Sequence, residues 1–575
     1  MANNVLKALV ELGYKVDQLP FKDYIQKNET KLIDGVLYYK DIPSALLFIS
    51  QYITSGIKLE DHSFDVFGTM IDLSRNAVFT VDYFKQVIKN QAQLGYNEIW
   101  LYMEDVYELI NYPKLGYLRG KYKKEELEVL VEYAEIFGVH LVPCIQTLGH
   151  MGQYLRWFSN TKLKDQSDIL LAEDEAVFEL IKEMIKTMKS IFKTDKIHIG
   201  MDETFGHGFG RYYKINGYKN PKQIFLDHLK KVNDICVSEV YSEVCVWSDM
   251  FFRTASVTDS YYDPNITFSD ELINQIPTNV SLVYWDYYNS NEDLVKKMLE
   301  NHLKMNRKVI MASGTWIWTK LNYDKKKTDA TAKIHLKLSK ELGIKEVILT
   351  QWNDDGAYCD YDTQYLGLFD LMNEQKNNKI DRKLLEKIGL NSYENYVVAS
   401  KINELGFSPV HLLWDDLLLG IYLNQFAGYD YLQFDTPLRN LVNYEKELTA
   451  ESLGHTRILA EFFRLKLSFR RNLLKAYFET KDFNPALIDL AQLENSINSV
   501  NDSFTYLWHK RNKPFGLEVL QTRIYAQISR VKEAKYQIES YIKKQISQID
   551  FLEEVIVKEP YLPVKYIDVA LSSKQ

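Results

Sequence analysis

The stretch Lys196-Ile-His-Ile-Gly-Met-Asp-Glu-Thr204 sets two adjacent carboxylates, Asp202 and Glu203, directly after a short apolar run, and Phe205-Gly-His-Gly-Phe-Gly210 follows them. The run reads as a buried strand and the glycines as a turn. Neighbouring residues on an extended chain point to opposite sides, so Asp202 and Glu203 are expected to meet different environments and to hold different protonation states at one pH. That division suits an acid and a helper. The competing reading is a solvated Asp-Glu pair opening a loop, against which the preceding His-x-Gly counts.

The elements that would position these groups follow from the apolar rhythm. Eight short runs, at 64–71, 98–102, 139–145, 196–200, 243–246, 281–284, 308–311 and 346–349, are separated by segments long enough for helices, among them 81–94, 124–137, 173–192 and 222–238. Eight strands alternating with helices predict an α/β protein with a (β/α)8 barrel. In such a barrel chemistry resides just after the strands. The residues there are Asp72-Leu-Ser-Arg75, Glu104-Asp105, Gln146-Thr-Leu-Gly149-His150 and Asp202-Glu203 after the first four. Trp247-Ser-Asp249, Trp285-Asp286-Tyr287, Ser313-Gly-Thr-Trp316-Ile-Trp318 and Trp352-Asn-Asp354 follow the last four. A tryptophan after each of the last four strands would wall a pocket at the face where barrels react.

Residues 1–60 read as a small α+β lead-in, with a helix at 5–10, a strand at 37–39 and a second helix near 44–53. The barrel is expected over 61–375. Residues 376–575 carry apolar positions at three- and four-residue spacing, notably over 452–480, 485–510 and 517–555, which predicts an all-α C-terminal domain.

His198-Ile-Gly200-Met-Asp202-Glu203 resembles the signature of glycoside hydrolase family 20, the exo-acting β-N-acetylhexosaminidases. The resemblance implies a retaining enzyme that removes terminal non-reducing β-linked GlcNAc or GalNAc. In that family the substrate's own 2-acetamido oxygen attacks the anomeric carbon and gives an oxazolinium intermediate. It further implies that Glu203 is the general acid and base and that Asp202 orients the acetamido group. Arg75 and Asp354 would bind sugar hydroxyls, Asp105 and His150 would support the acid, and Trp247, Trp285 and Trp352 would be aromatic walls. The family's tyrosine after strand seven is replaced by Trp316 in this register. Tyr287, two residues beyond Trp285, is the expected substitute donor to the acetamido oxygen. No cofactor and no metal are implied. The family's larger domain before the barrel has no counterpart of that size here.

Composition narrows the alternatives. Charged residues make up 26% of the chain and the net charge is −8, so the concentrated basic face that nucleic acid requires is missing. No segment approaches about 18 uninterrupted apolar residues, so no membrane span is expected. The four cysteines, Cys144, Cys236, Cys245 and Cys359, have no metal-type spacing and are too sparse for a disulfide framework, which predicts a cytoplasmic protein. The C-terminal helices are expected to pack on the barrel or to join two subunits. Three other functions compete. One is a sugar-binding barrel without activity, against which the intact Asp202 and Glu203 count. Another is a glycosidase with a carboxylate nucleophile, which would tolerate substrates lacking the acetamido group. The third is a metal hydrolase using His150, His198 and His207, whose spacing lacks the pairing of a metal site. His198, inside the strand, reads as structural.

Overall fold

A computed structural model describes residues 4–61, 63–258 and 260–573. The lead-in is a three-stranded sheet of β1 (Asp23–Gln26), β2 (Lys31–Ile33) and β3 (Val36–Tyr39), in the order β1-β3-β2. Two of these strands were not legible in the sequence, because β2 is exposed or half-exposed throughout and carries no alternating apolar pattern. The helix Ile42–Ser55 follows, started by Asp41, whose carboxylate accepts from the Ser44 amide at 2.8 Å, and stopped by Gly56 at φ 72°. Its Leu46 and Ile49 share one apolar cluster with the barrel, so the lead-in is built onto the barrel's core.

The barrel strands are β4 (Val66–Asp72), β5 (Glu98–Met103), β6 (His140–Ile145), β7 (Lys196–His198), β8 (Glu243–Trp247), β9 (Val280–Trp285), β10 (Val309–Gly314) and β11 (Glu346–Gln351). All eight pair in parallel, and β11 closes on β4 through the register Val347↔Phe67 to Gln351↔Ile71. The (β/α)8 expectation therefore holds. Strand β7 is the shortest. It stops at His198, and the chain then turns through left-handed backbone at Gly200 (φ 72°) and Met201 (φ 73°). A side chain at Gly200 would collide with Gln146, so only glycine serves there.

The C-terminal region is helical, dominated by Gly454–Lys475, Asn484–Arg511 and Leu517–Ile542. The third of these ends at Ile542, short of the predicted residue 555. The region has its own apolar cluster, yet it grips the loops after β4 and β11. Arg511 pairs with Asp360 and, at 2.9 Å, with Asp362. Asn76 Nδ2 donates to Gly516 O at 2.8 Å, and Arg523 Nη1 donates to Asp355 O at 2.6 Å. Asn76 and Asp355 are the chain neighbours of Arg75 and Asp354. Among the described residues no helix is long and apolar enough to cross a membrane.

Candidate active site

The C-terminal ends of the strands converge on a pocket lined by Arg75, Asp202, Glu203, Trp247, Trp285, Tyr287, Tyr288, Trp318, Trp352 and Asp354. Arg75 forms one end. Its Nη1 lies 3.3 Å from Asp72, its Nη2 3.7 Å from Glu104 and its Nε 3.2 Å from Asp354. Its guanidinium carbon sits 5.0 Å from the Tyr102 ring centroid and 4.6 Å from that of Trp352. Asp72 braces the turn by accepting from the Ser74 amide at 2.9 Å, the Arg75 amide at 3.2 Å and the Asn353 amide at 3.0 Å. Three carboxylates and two ring faces thus hold one planar fork in place.

Asp202 and Glu203 share a partner. His150 Nε2 is 3.1 Å from Asp202 Oδ2 and 3.6 Å from Glu203 Oε2. Asp202 also accepts from Gln146 Nε2 at 2.8 Å. The Asp202 side chain is 10% exposed and that of Glu203 is 40% exposed, so Glu203 stands at the mouth and Asp202 beneath it. Their electrostatics diverge accordingly. Burial works to raise Asp202, but the His150 charge beside it, Gln146 and Arg75 outweigh burial and hold it below the usual carboxylate range. Glu203 is raised, first by burial and then by the Asp202 charge. Burial works to lower His150, yet Asp202 prevails and lifts it to about 9. The arrangement supplies a carboxylate held toward its ionised form in the pocket and one with raised proton affinity at its mouth.

Residues 64–378 match the glycosyl hydrolase family 20 catalytic domain, and residues 391–564 match the Glycoside Hydrolase 20C C-terminal domain. The chain belongs to glycosyl hydrolase family 20. Among family-related proteins it is similar to lacto-N-biosidase of Bifidobacterium bifidum, 23% identical over 194 residues, covering 31% of this chain and 17% of that one. Hexosaminidase D of Bos taurus is 22% identical over 245 residues, covering 41% of this chain and 66% of that protein. The chain therefore spans less than two thirds of either curated relative. The solved β-N-acetylhexosaminidase of Bacteroides fragilis NCTC 9343 superposes with a TM-score of 0.50 at 17% identity, covering 64% of this chain and 84% of that one.

Within this family 20 barrel the sequence-derived residues fall into two groups. Arg75, Asp202, Glu203, Trp247, Trp285, Tyr287, Trp352 and Asp354 all line the pocket, and His150 contacts both carboxylates. Asp105 and Trp316 do not line it. Asp105 turns away and pairs with Arg119 Nε at 3.0 Å, while Glu104, on the opposite side of the chain, faces Arg75. Trp316 lies behind the wall, its ring stacked 4.0 Å from Trp318 and its Nε1 donating to Tyr287 O at 3.2 Å. Trp318 is the ring that reaches the pocket. The expectation that Asp202 and Glu203 point to opposite sides is also corrected. Met201 and Glu203 (φ 51°) are left-handed rather than extended, which brings both carboxylates to the same imidazole.

Glu104, Gln146, Asp249, Tyr288 and Trp318 complete the site, and all but Tyr288 stand in the strand-end strings of the sequence. His198 is structural: its Nδ1 accepts from the Gly200 amide at 3.0 Å, and burial lowers its pKa to about 3. His207 clasps its loop, with its two ring nitrogens 2.7 Å from the carbonyl oxygens of Thr204 and Pro221. Among the described residues no group of three or more His, Cys, Asp or Glu is arranged to hold a metal ion.

Proposed function

We propose that the chain is an exo-acting, retaining β-N-acetylhexosaminidase that removes a terminal non-reducing β-linked GlcNAc or GalNAc by substrate-assisted catalysis. The observation that carries this reading is the convergence of Asp202 and Glu203 on one imidazole. Two carboxylates on the same side of the pocket cannot flank a sugar from opposite faces, as a nucleophile and an acid must. The third pocket carboxylate, Asp354, is already engaged by Arg75 at 3.2 Å. The substrate's acetamido oxygen then supplies the nucleophile. Glu203 protonates the departing oxygen and later takes a proton from water, and Asp202 accepts from the acetamido N–H. Arg75 and Asp354 hold hydroxyls of the terminal sugar. Tyr287, whose buried hydroxyl lies beside Thr350 and Trp352 and whose side chain lines the pocket, donates to the acetamido oxygen in this reading.

The names of the relatives, a hexosaminidase D and a β-N-acetylhexosaminidase among them, support this reading. Four free cysteines, three of them buried, suit a reducing compartment such as the cytoplasm. Ile488, Tyr506, Tyr525 and Tyr536 stay exposed on the C-terminal helices, which suits contact with a second copy, a state that sedimentation would reveal. The deciding experiment compares nitrophenyl β-N-acetylglucosaminide, β-N-acetylgalactosaminide and β-glucoside. Turnover of either acetamido sugar with none of the glucoside is expected; equal turnover of the glucoside would point instead to a carboxylate nucleophile.

A further inference from the structure

An aromatic ridge continues the pocket wall outward past Glu203. It starts at Trp285, whose ring centroid is 5.4 Å from that of Tyr261, and runs to Phe205, 5.8 Å beyond. Arg253 lies across it, with its guanidinium carbon 3.7 Å from the Phe205 centroid and 5.5 Å from that of Tyr261. Arg253 Nη1 also donates to the Tyr261 hydroxyl at 3.5 Å. Beyond Trp285, at the end of β9, three separate segments build this ridge: the loop after β7, the helix Asp249–Ala255 after β8, and the chain leading to β9. Phe205 is nevertheless 42% exposed, two residues beyond Glu203. A half-exposed ring held by a cation packed against it is a pre-ordered surface.

The direction of the ridge gives it a role. In exo-cleavage the terminal sugar fills the closed pocket, and the oxygen that Glu203 protonates belongs to the leaving group, which must lie on the Glu203 side. Tyr261 stands where the ridge passes the acid: burial first, and then the Glu203 charge, push its phenol upward. We propose that Phe205, Tyr261 and Arg253 form a leaving-group platform that stacks the first sugar ring of the departing glycan. The proposal rests on the hexosaminidase reading above. A β-linked pyranose presents axial C–H bonds on its faces, and such a face covers the exposed side of Phe205. Arg253, packed against the ring's other side, holds Phe205 and Tyr261 in position beneath the sugar.

The test pairs two substrates with the same glycone. One is the β-linked N-acetylglucosamine disaccharide and the other is 2-acetamido-2-deoxy-β-glucosyl fluoride, whose leaving group has no ring. Phe205→Ala should lower kcat/KM for the disaccharide about 3- to 20-fold, the scale of one ring contact, and change the fluoride rate less than about twofold. Phe205→Trp should keep the disaccharide rate, and Arg253→Gln should follow Phe205→Ala. Equal losses on both substrates, or no loss on the disaccharide, would overturn the platform. Should the parent enzyme hydrolyse neither substrate, the hexosaminidase reading falls first and the platform with it.

Discussion

The backbone N–H of Glu203 donates to Oδ2 of buried Asp249 at 3.0 Å, across from β7 to β8. Glu203 sits at φ 51°, a conformation that costs a non-glycine residue about 1–2 kcal/mol. The bond to Asp249 offsets that cost and aims the carboxyl over the pocket. Burial first, and then the charges of Asp202 and Glu203, hold Asp249 well above the usual carboxylate range. A neutral amide should therefore replace it well. Asp249→Asn is expected to keep kcat within about threefold, and Asp249→Ala to lower it roughly 10–100-fold with little change in KM. A loss in the Asn variant as deep as in the Ala variant would show that charge, not the bond to the backbone, is what matters.

Glu203→Gln should preserve the fold while removing the acidic proton. The rate on a natural oligosaccharide is expected to fall about 10²–10⁴-fold, and least on leaving groups that need no proton. Near-parental turnover of the oligosaccharide would take Glu203 out of the acid role.

His150 makes stability depend on pH in a definite direction. Its folded pKa of about 9 lies above the ordinary 6.5, so its contribution is complete below pH 6.5 and fades as pH rises through 9. Asp202, lowered from 3.8, loses its share only as pH falls below that value. The Tm gap between the parent protein and His150→Gln should be widest near pH 6 and shrink by pH 10. A gap constant across that range would mean that the imidazole is not charged in the folded state.

The Tyr287 hydroxyl is buried beside Thr350 and Trp352, and its side chain lines the pocket. Tyr287→Phe is expected to lower kcat for acetamido sugars about 10–10³-fold and to weaken a thiazoline mimic of the cyclic intermediate. If instead Tyr288→Phe produces both effects and Tyr287→Phe neither, the donor is the neighbouring tyrosine.

The C-terminal helices reach the site through Arg523, which is bonded to the Asp355 carbonyl at 2.6 Å. Arg523→Ala should free the loop that carries Asp354, raising KM about 3–10-fold while kcat changes less. A drop in Tm with KM unmoved would assign Arg523 to stability alone.

The sequence by itself determined the architecture and the chemistry on offer. Short continuous apolar runs and the 3.6-residue helical period are local properties of the chain, so eight runs and their intervening helices could be read along it, and the residues after them with equal directness. What tertiary structure decided was which of two neighbours faces the pocket. Glu104 rather than Asp105 meets Arg75, and Trp318 rather than Trp316 lines the wall. Asp202 and Glu203 share His150 instead of diverging. In each case the chain has left the strand, where alternation no longer applies, and its dihedrals are set by distant partners. Arg119 draws Asp105 away, Trp318 and the Tyr287 carbonyl hold Trp316, and Gln146 and Asp249 take the amides of Met201 and Glu203 in the left-handed turn. Those partners lie between 14 and 55 residues away along the chain, except Trp318, two residues on, so no local pattern could announce most of them.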